Sequence, residues 1–255
     1  MSLAAVVGTI LEKAAKPGVM SLAAEVLERK TARALASYFR IVSRRLTTQL
    51  SKLGDAENRE TAVHTAHMIV SSVVRRYSHT LLEILVMFKM EAMMKADRQN
   101  VFHEAANDKI GLSAKEAAEY AADSAAKSVT GINAKTIERY EKAVSDAILE
   151  QRGVDGLARI LRELSDDLSV VRSITIAATE MADAFGEAAL RKLKREGIEF
   201  KQAIPSPGAC EYCLDIIAGG SIPVDEDFEG EDGETFDRTP FHVNCRCATV
   251  GARGI

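Results

Sequence analysis

All four cysteines of this 255-residue chain lie in two short segments near its C-terminal end. Cys210 and Cys213 form a C-x-x-C pair, and His242, Cys245 and Cys247 form an H-x-x-C-x-C segment further along. Thiolate and imidazole groups are the ligands that tetrahedral Zn²⁺ prefers, and these short spacings let one turn direct two ligands at the same ion. The pattern predicts a structural zinc site, with Cys210, Cys213 and Cys245 as ligands and either His242 or Cys247 as the fourth.

Other interpretations of the cysteines stay open at this point. Two disulfides between the segments would also hold them together, and reduced cysteines can simply pack in a core. The N-terminal residues lack the basic and apolar stretches of a secretory signal, so we expect synthesis in a reducing cytosol, which disfavours stable disulfides. A catalytic thiol needs a base beside it, and the nearest candidate, His242, belongs to the ligand pattern. No catalytic residue is predicted.

The cysteines fall in a region whose composition differs from the rest of the chain. Residues 1–200 carry 29 Lys and Arg against 27 Asp and Glu, whereas residues 201–255 carry 4 against 10. Four of the five prolines also lie after residue 200, so the earlier region can form long helices and the later one must turn often. We predict a mainly α protein with a small α+β C-terminal module. This module is too small to be stabilised by its hydrophobic core alone, so we expect it to be stapled by zinc or by its cysteines.

Helical spacing of apolar residues is clear before residue 198, and glycines and caps set the expected breaks. Ser113 and Glu116 have the spacing of a capping box, Gly131 and Asn133 predict a break, and Gly197 predicts a helix end. The expected helices cover about 20–53, 58–97, 113–129, 133–153, 154–167 and 169–197. Strands are expected at 198–204 and at 245–250, where Cys245 and Cys247 would face the same side of the second strand.

Charge and hydropathy exclude some classes of protein. The longest strongly apolar run covers only residues 84–88, far shorter than the roughly 20 residues of a membrane span, so no membrane association is expected. The net charge of −4 gives no global reason to expect nucleic-acid binding. Short basic clusters such as Arg75 with Arg76 are interpreted first as solvated helix faces and second as weak phosphate contacts.

The order of motifs from about residue 130 resembles the minor head proteins of tailed phages related to phage Mu protein F. That family shows an I-A-R-T-E stretch, a helix that ends in glycine, C-x-x-C, a G-x-x-(F/I)-P-(V/L) turn and a final H-x-N-C-R-C. The corresponding residues here are Ile176–Glu180, Gly197, Cys210 with Cys213, Gly220–Val224 and His242–Cys247. The chain departs from the pattern at Ala178, where the family has arginine, and at Val243, where it has proline.

The resemblance implies a structural role in the virus head rather than an enzyme. Such a protein is packaged inside the procapsid, associates with the portal protein, and assists head assembly or genome delivery. It implies a helical N-terminal region at 1–130 and a Mu F-like domain at 131–255, made of helices at 131–197 and the cysteine module at 198–255. Scaffold protein, major capsid protein and packaged DNA are further expected contacts, and the virion interior is the expected location.

Two alternatives to the head protein follow from the residues themselves. A zinc-stapled nucleic-acid-binding protein would need a basic surface near the metal, whereas residues 201–255 carry a balance of −6, from 4 basic and 10 acidic residues. A metal-dependent hydrolase would need three protein ligands, a water on the zinc and a general base such as Glu211 within reach.

Overall fold

A computed structural model describes residues 22–53, 59–98 and 112–252. Within these ranges, six helices precede the cysteine module: α1 (Leu22–Leu50), α2 (Arg59–Arg76), α3 (Ser78–Arg98), α4 (Ala114–Leu149), α5 (Gly153–Asp167) and α6 (Ser173–Arg195). The module contains strand β1 (Phe200–Ile204), helix α7 (Glu211–Ala218), strands β2 (Ile222–Pro223), β3 (Phe228–Glu229) and β4 (Thr235–Phe236), and strand β5 (Ala248–Ala252). The predicted fold class, mainly α with a small α+β C-terminal module, is confirmed.

Two predicted helix boundaries are wrong. The helix expected at 58–97 is divided at Tyr77, whose N–H bonds to the Val74 carbonyl three residues back and so tightens one turn. The break expected at Gly131 and Asn133 is absent, and α4 runs through both residues. A glycine within a helix costs only about 1 kcal/mol, and the buried Asn133 side chain binds Tyr38 and Ser78 instead of capping a helix.

The other helix signals agree with the structure. Ser113 and Glu116 form the predicted capping box, in which the Glu116 N–H donates to Ser113 Oγ and the Ser113 N–H donates to the Glu116 carboxylate. Five residues of π-helix, Leu168–Arg172, join α5 to α6. Gly197 has φ +68°, and the next N–H, of Ile198, bonds back to the Leu193 carbonyl, which closes the end of α6.

The chain divides into two compact units that interleave along the sequence. One unit, which we call the middle unit, comprises residues 33–85 and 122–173. Its core contains Phe39, Leu46, Val70, Tyr140 and Val144, all 0 % exposed. Because these residues come from α1, α2 and α4, the middle unit is a purely helical bundle.

The other unit, the cysteine unit, comprises residues 1–32, 86–121 and 174–255 and contains the cysteine module. Fully buried alanines, such as Ala92, Ala117 and Ala184, allow close helix packing of the kind that the alanine-rich composition predicts. The expected domain boundary after residue 130 falls inside α4, and the division into a helical region and a Mu F-like domain stays a prediction.

The cysteine module is built on a three-stranded antiparallel sheet of order β2-β1-β5 and a separate β3-β4 hairpin. Strand β1 pairs along its whole length with β5, from Phe200 opposite Ala252 to Ile204 opposite Ala248. The strand predicted at 245–250 begins only at Ala248, so the prediction that Cys245 and Cys247 lie on it is wrong. In the described part of the chain, no helix is long and apolar enough to cross a membrane.

Candidate metal centre

The C-x-x-C segment lies at the beginning of a short helix. Cys210 is the residue before α7, with extended backbone angles, and Cys213 lies in the first turn. Leu214 N–H donates to the Cys210 carbonyl and so starts the helix. This local geometry turns both thiols to the same side, with Cys213 buried and Cys210 exposed.

The H-x-x-C-x-C segment is a tight turn before β5. The Cys245 N–H donates to the His242 carbonyl at 3.1 Å, and Asn244 at the bend has φ +64°. Asparagine is one of the few non-glycine residues that adopt this left-handed conformation readily. The turn therefore brings His242 and Cys245 to one side, while Cys247 follows into the buried core.

The two segments converge, so that all five predicted ligands lie in one cluster. His242 Nε2 is 3.2 Å from Cys210 Sγ and 3.0 Å from Cys213 Sγ, and Cys213 Sγ is 3.7 Å from Cys245 Sγ. Two sets of three ligand atoms each lie within 4.8 Å of one another: one has Cys210, Cys213 and His242, the other Cys213, Cys245 and Cys247. The cluster can hold a metal ion, and Cys213 belongs to both sets.

The histidine ring is oriented by its other nitrogen. His242 Nδ1 lies 2.8 Å from the Val243 carbonyl, to which it can donate a hydrogen bond. That bond places the proton on Nδ1 and leaves the lone pair of Nε2 directed at the thiols, an arrangement typical of metal-bound histidines. The Tyr212 ring packs against the imidazole at a centroid distance of 6.2 Å, which further fixes its orientation.

The thiols differ in how readily they ionise. A hydrogen bond from Cys247 lowers the pKa of Cys245 to about 5, and the backbone of Cys213 lowers the pKa of Cys210. Burial raises the pKa of Cys213, and the Cys245 thiolate, as a hydrogen-bond acceptor, raises that of Cys247. Two thiols therefore favour the thiolate form that metals require, and a cation in the cluster would favour it in the others.

The inner side of the cluster is part of the module's apolar core. Cys213, Cys245 and Cys247 are 5 % exposed or less, and they pack with buried Phe228 and Phe241. Phe241 also contacts Phe236 edge to face at 5.4 Å. All four cysteines are free thiols in the structure, and the exposed Cys210 and His242 give the cluster a solvent-facing edge.

The H-x-x-C-x-C segment is also bound to the helices of the cysteine unit. The Arg246 guanidinium, between the last two cysteines, makes two 2.7 Å bonds to the Glu28 carboxylate on α1. The Asn244 N–H donates to Thr179 Oγ1 on α6 at 2.9 Å. Sequence reasoning did not identify Glu28 as a partner, because 218 residues separate it from Arg246.

A second attachment joins the module to α6 through a buried charge cluster. Arg238 donates to Asp183 at 2.8 Å and to the Tyr120 hydroxyl at 2.9 Å. Asp183 and Glu180 each lie 2.7 Å from the ammonium group of Lys89, whose side chain is 1 % exposed. Lys89 and the carboxylates compensate one another, so loss of one partner would leave an uncompensated charge at the contact between the helices and the module.

Two of the segments that carry the resemblance thus contact each other within the cysteine unit, through Thr179 and Asn244. Thr179 and Glu180 of the I-A-A-T-E stretch bind Asn244 and Lys89, whereas Ala178 is fully buried. Val243 is 67 % exposed. Comparison of the chain with protein-family models, with curated proteins and with solved structures found no match.

Proposed function

We propose that the cluster binds one zinc ion through Cys210, Cys213, Cys245 and His242. The convergence of these four ligands from segments that lie far apart in sequence is the observation that carries the proposal. His242 is favoured over Cys247 as the fourth ligand because its Nε2 lies within 3.2 Å of two of the thiols while its Nδ1 is held by a carbonyl. Cys247 would remain a buried neighbour that donates a hydrogen bond to Cys245.

The zinc would have a structural role. Four protein ligands complete a tetrahedral shell and leave no position for a substrate or a water, which separates this site from a catalytic one. Binding of structural zinc supplies about 10–16 kcal/mol in small zinc modules, enough to order a segment whose strands are only two to five residues long. The metal would hold α7 against the turn that precedes β5.

X-ray absorption at the zinc edge tests the ligand set. We expect about three sulfur ligands near 2.3 Å and about one nitrogen ligand near 2.0 Å. The Cys247→Ser variant should give the same spectrum. A first shell of four sulfurs that loses one in Cys247→Ser would show that Cys247, rather than His242, is the fourth ligand.

We further propose that the chain is a minor head protein of a tailed phage, packaged in the procapsid and associated with the portal. The support is the order of the motifs together with the role that their residues play here. The H-x-N-C-R-C segment would supply metal ligands and, through Asn244 and Arg246, makes contacts that attach the module to α6 and α1. A rigid module attached to the helices would present a fixed surface to the portal protein during head assembly.

Co-expression with the portal protein of the same phage tests this role. We expect the two proteins to co-purify through size exclusion at low salt, and the Cys213→Ser variant to separate from the portal because its module lacks the metal. Complete separation of the wild-type chain from the portal would contradict the proposed role and leave the zinc proposal standing, since the latter is measured on the isolated chain.

A further inference from the structure

A stretch that begins in α1 and ends three residues after it has an unusual charge pattern. From Arg33 to Leu53 the chain contains five basic residues, Arg33, Arg40, Arg44, Arg45 and Lys52, and no acidic residue. The nearest acidic residues in sequence are Glu28 before the stretch and Asp55 after it. This local excess is hidden in the net charge of the whole chain, which is −4.

Three of the arginines form a line along the exposed side of the helix. Arg33, Arg40 and Arg44 are separated by seven and four residues, so they fall within an arc of about 40° at 3.6 residues per turn. The line is about 16 Å long at 1.5 Å per residue. All three side chains are exposed, whereas Phe39 and Val42 on the opposite side are 0 % exposed.

These arginines have no acidic partner among the residues that the structure describes. Elsewhere in the chain exposed cations are commonly paired: Lys115 lies 3.8 Å from Glu119, and Lys135 lies 2.9 Å from Glu138. Because the described residues supply no counter-charge to these side chains, the arginine line is available to an external anion.

The end of α2 adds to the same surface. Arg45 Nε donates to the Tyr77 hydroxyl at 3.1 Å, which places the C-terminal end of α2 beside α1. Arg75 and Arg76, which immediately precede Tyr77, are exposed. The part of α1 from Arg33 onward and the whole of α2 belong to the middle unit, and together they present a basic face that we define as Arg33, Arg40, Arg44, Arg45, Arg75 and Arg76.

The residues of this basic face favour a nucleic-acid duplex as the partner over a membrane or a single strand. A membrane-binding helix needs an apolar face beside the cations, but the one large exposed apolar side chain between Arg33 and Lys52 is Ile41, at 44 %. Binding to single strands relies on aromatic platforms for the bases, and Tyr38 and Phe39 are buried. A straight row of guanidinium groups fits the regular row of phosphates on a duplex, which arginines contact without reading sequence.

We propose that the basic face binds the phosphate backbone of double-stranded DNA without sequence specificity. The choice of DNA over duplex RNA rests on the proposed function, because a protein inside a phage head meets a packaged DNA genome. The assignment of the surface itself depends only on the charges of α1 and α2. It places DNA contact on the middle unit.

Fluorescence anisotropy with a labelled duplex of about 30 base pairs of arbitrary sequence, titrated between about 50 and 200 mM salt, tests the proposal. If at least three phosphates are neutralised, log K should fall against log salt with a slope of about −3 or steeper. Replacing Arg33, Arg40 and Arg44 together by Gln should weaken binding at low salt more than about tenfold and make the slope shallower by about 2–3.

The matched control removes three exposed cations elsewhere: Lys115→Gln, Lys127→Gln and Arg159→Gln together. Its slope should stay within about 0.5 of the wild-type slope if the basic face, rather than net charge, binds DNA. Circular dichroism checks that both triple variants fold; if the first does not, Arg40→Gln alone should make the slope shallower by about 1.

Several outcomes would overturn the proposal. They are no binding to the duplex at about 50 mM salt, equal losses in the two triple variants, equal affinity for an RNA duplex of the same length, or equally strong competition by poly-glutamate. The last outcome would point to an acidic protein as the partner. Portal co-purification is a separate readout, so failure of DNA binding and failure of the head-protein role are distinguishable.

Discussion

Lys89 gives the sharpest prediction about stability, because it is a fully buried cation held between two carboxylates. Its ammonium group lies 2.7 Å from both Glu180 and Asp183, and its side chain is 1 % exposed. Replacing Lys89 by Met keeps the length and volume of the side chain but leaves these carboxylates in a buried site without that cation. Removing one partner of a buried ion pair costs about 3–5 kcal/mol, so we expect a loss of that size in the free energy of unfolding at pH 7.

Lys95 provides a matched control on the same helix. Its ammonium group is also 2.7 Å from a carboxylate, that of Glu91, but the two side chains are 34 % and 38 % exposed. Exposed pairs contribute about 0–1 kcal/mol, so Lys95→Met should lose less than about 1 kcal/mol. Urea denaturation followed by circular dichroism measures both variants. Equal losses would show that burial of Lys89 does not set the energy of its ion pairs.

The effect of Lys89→Met should also depend on pH. Burial opposes ionisation of Asp183, but Lys89 and Arg238 outweigh it and lower the pKa of that carboxyl below its usual value of 3.8. A carboxyl with a lowered pKa stabilises the folded state above its unfolded pKa, and this contribution is lost as pH falls through the folded pKa. The difference between wild type and Lys89→Met should therefore be largest near neutral pH and shrink below about pH 4. A difference that stays constant down to about pH 3 would contradict the assignment to charge.

Two further predictions concern the packing around two glycines and the role of Cys247, which is not among the proposed zinc ligands. A Cβ on Gly186 would lie 2.1 Å from the Thr239 carbonyl, so Gly186→Ala should lower the free energy of unfolding by about 1–3 kcal/mol. Gly131 lies in the open middle of α4, so Gly131→Ala should raise the free energy of unfolding by up to about 1 kcal/mol. The opposite order in calorimetry would contradict the packing described here. Cys247→Ser should retain bound zinc and Cys213→Ser should lose it, as measured by metal analysis after gel filtration, and retention of zinc by Cys213→Ser would refute the shared role of Cys213.

The cysteine cluster and the fold class were predictable because both depend on short-range patterns. Spacings of two to three residues within one turn decide which way Cys210 and Cys213 point, and the composition change near residue 200 separates the helices from the module. Convergence of the two segments required only that the module be compact. The structure shows a cysteine cluster that could hold a metal ion, and both the ligand set and the identity of the metal stay predictions.

The helix breaks were less predictable because tertiary contacts outweigh local preference. Gly131 is exposed and its small helix penalty is absorbed by α4, while Asn133 is buried by partners on α1 and α3. The division at Tyr77 has no glycine or proline to mark it. Nor does the sequence reveal that Glu28 meets Arg246, since the pairing depends on how α1 packs in the cysteine unit.

The central claim is that a single zinc ion holds the cysteine module together. Native mass spectrometry of the chain purified without chelators tests it most directly, because it counts bound metal per molecule. We predict a mass shift of one zinc per chain, absent from the Cys213→Ser variant. A wild-type chain that carries no metal, with all four thiols free to react under native conditions, would contradict the claim.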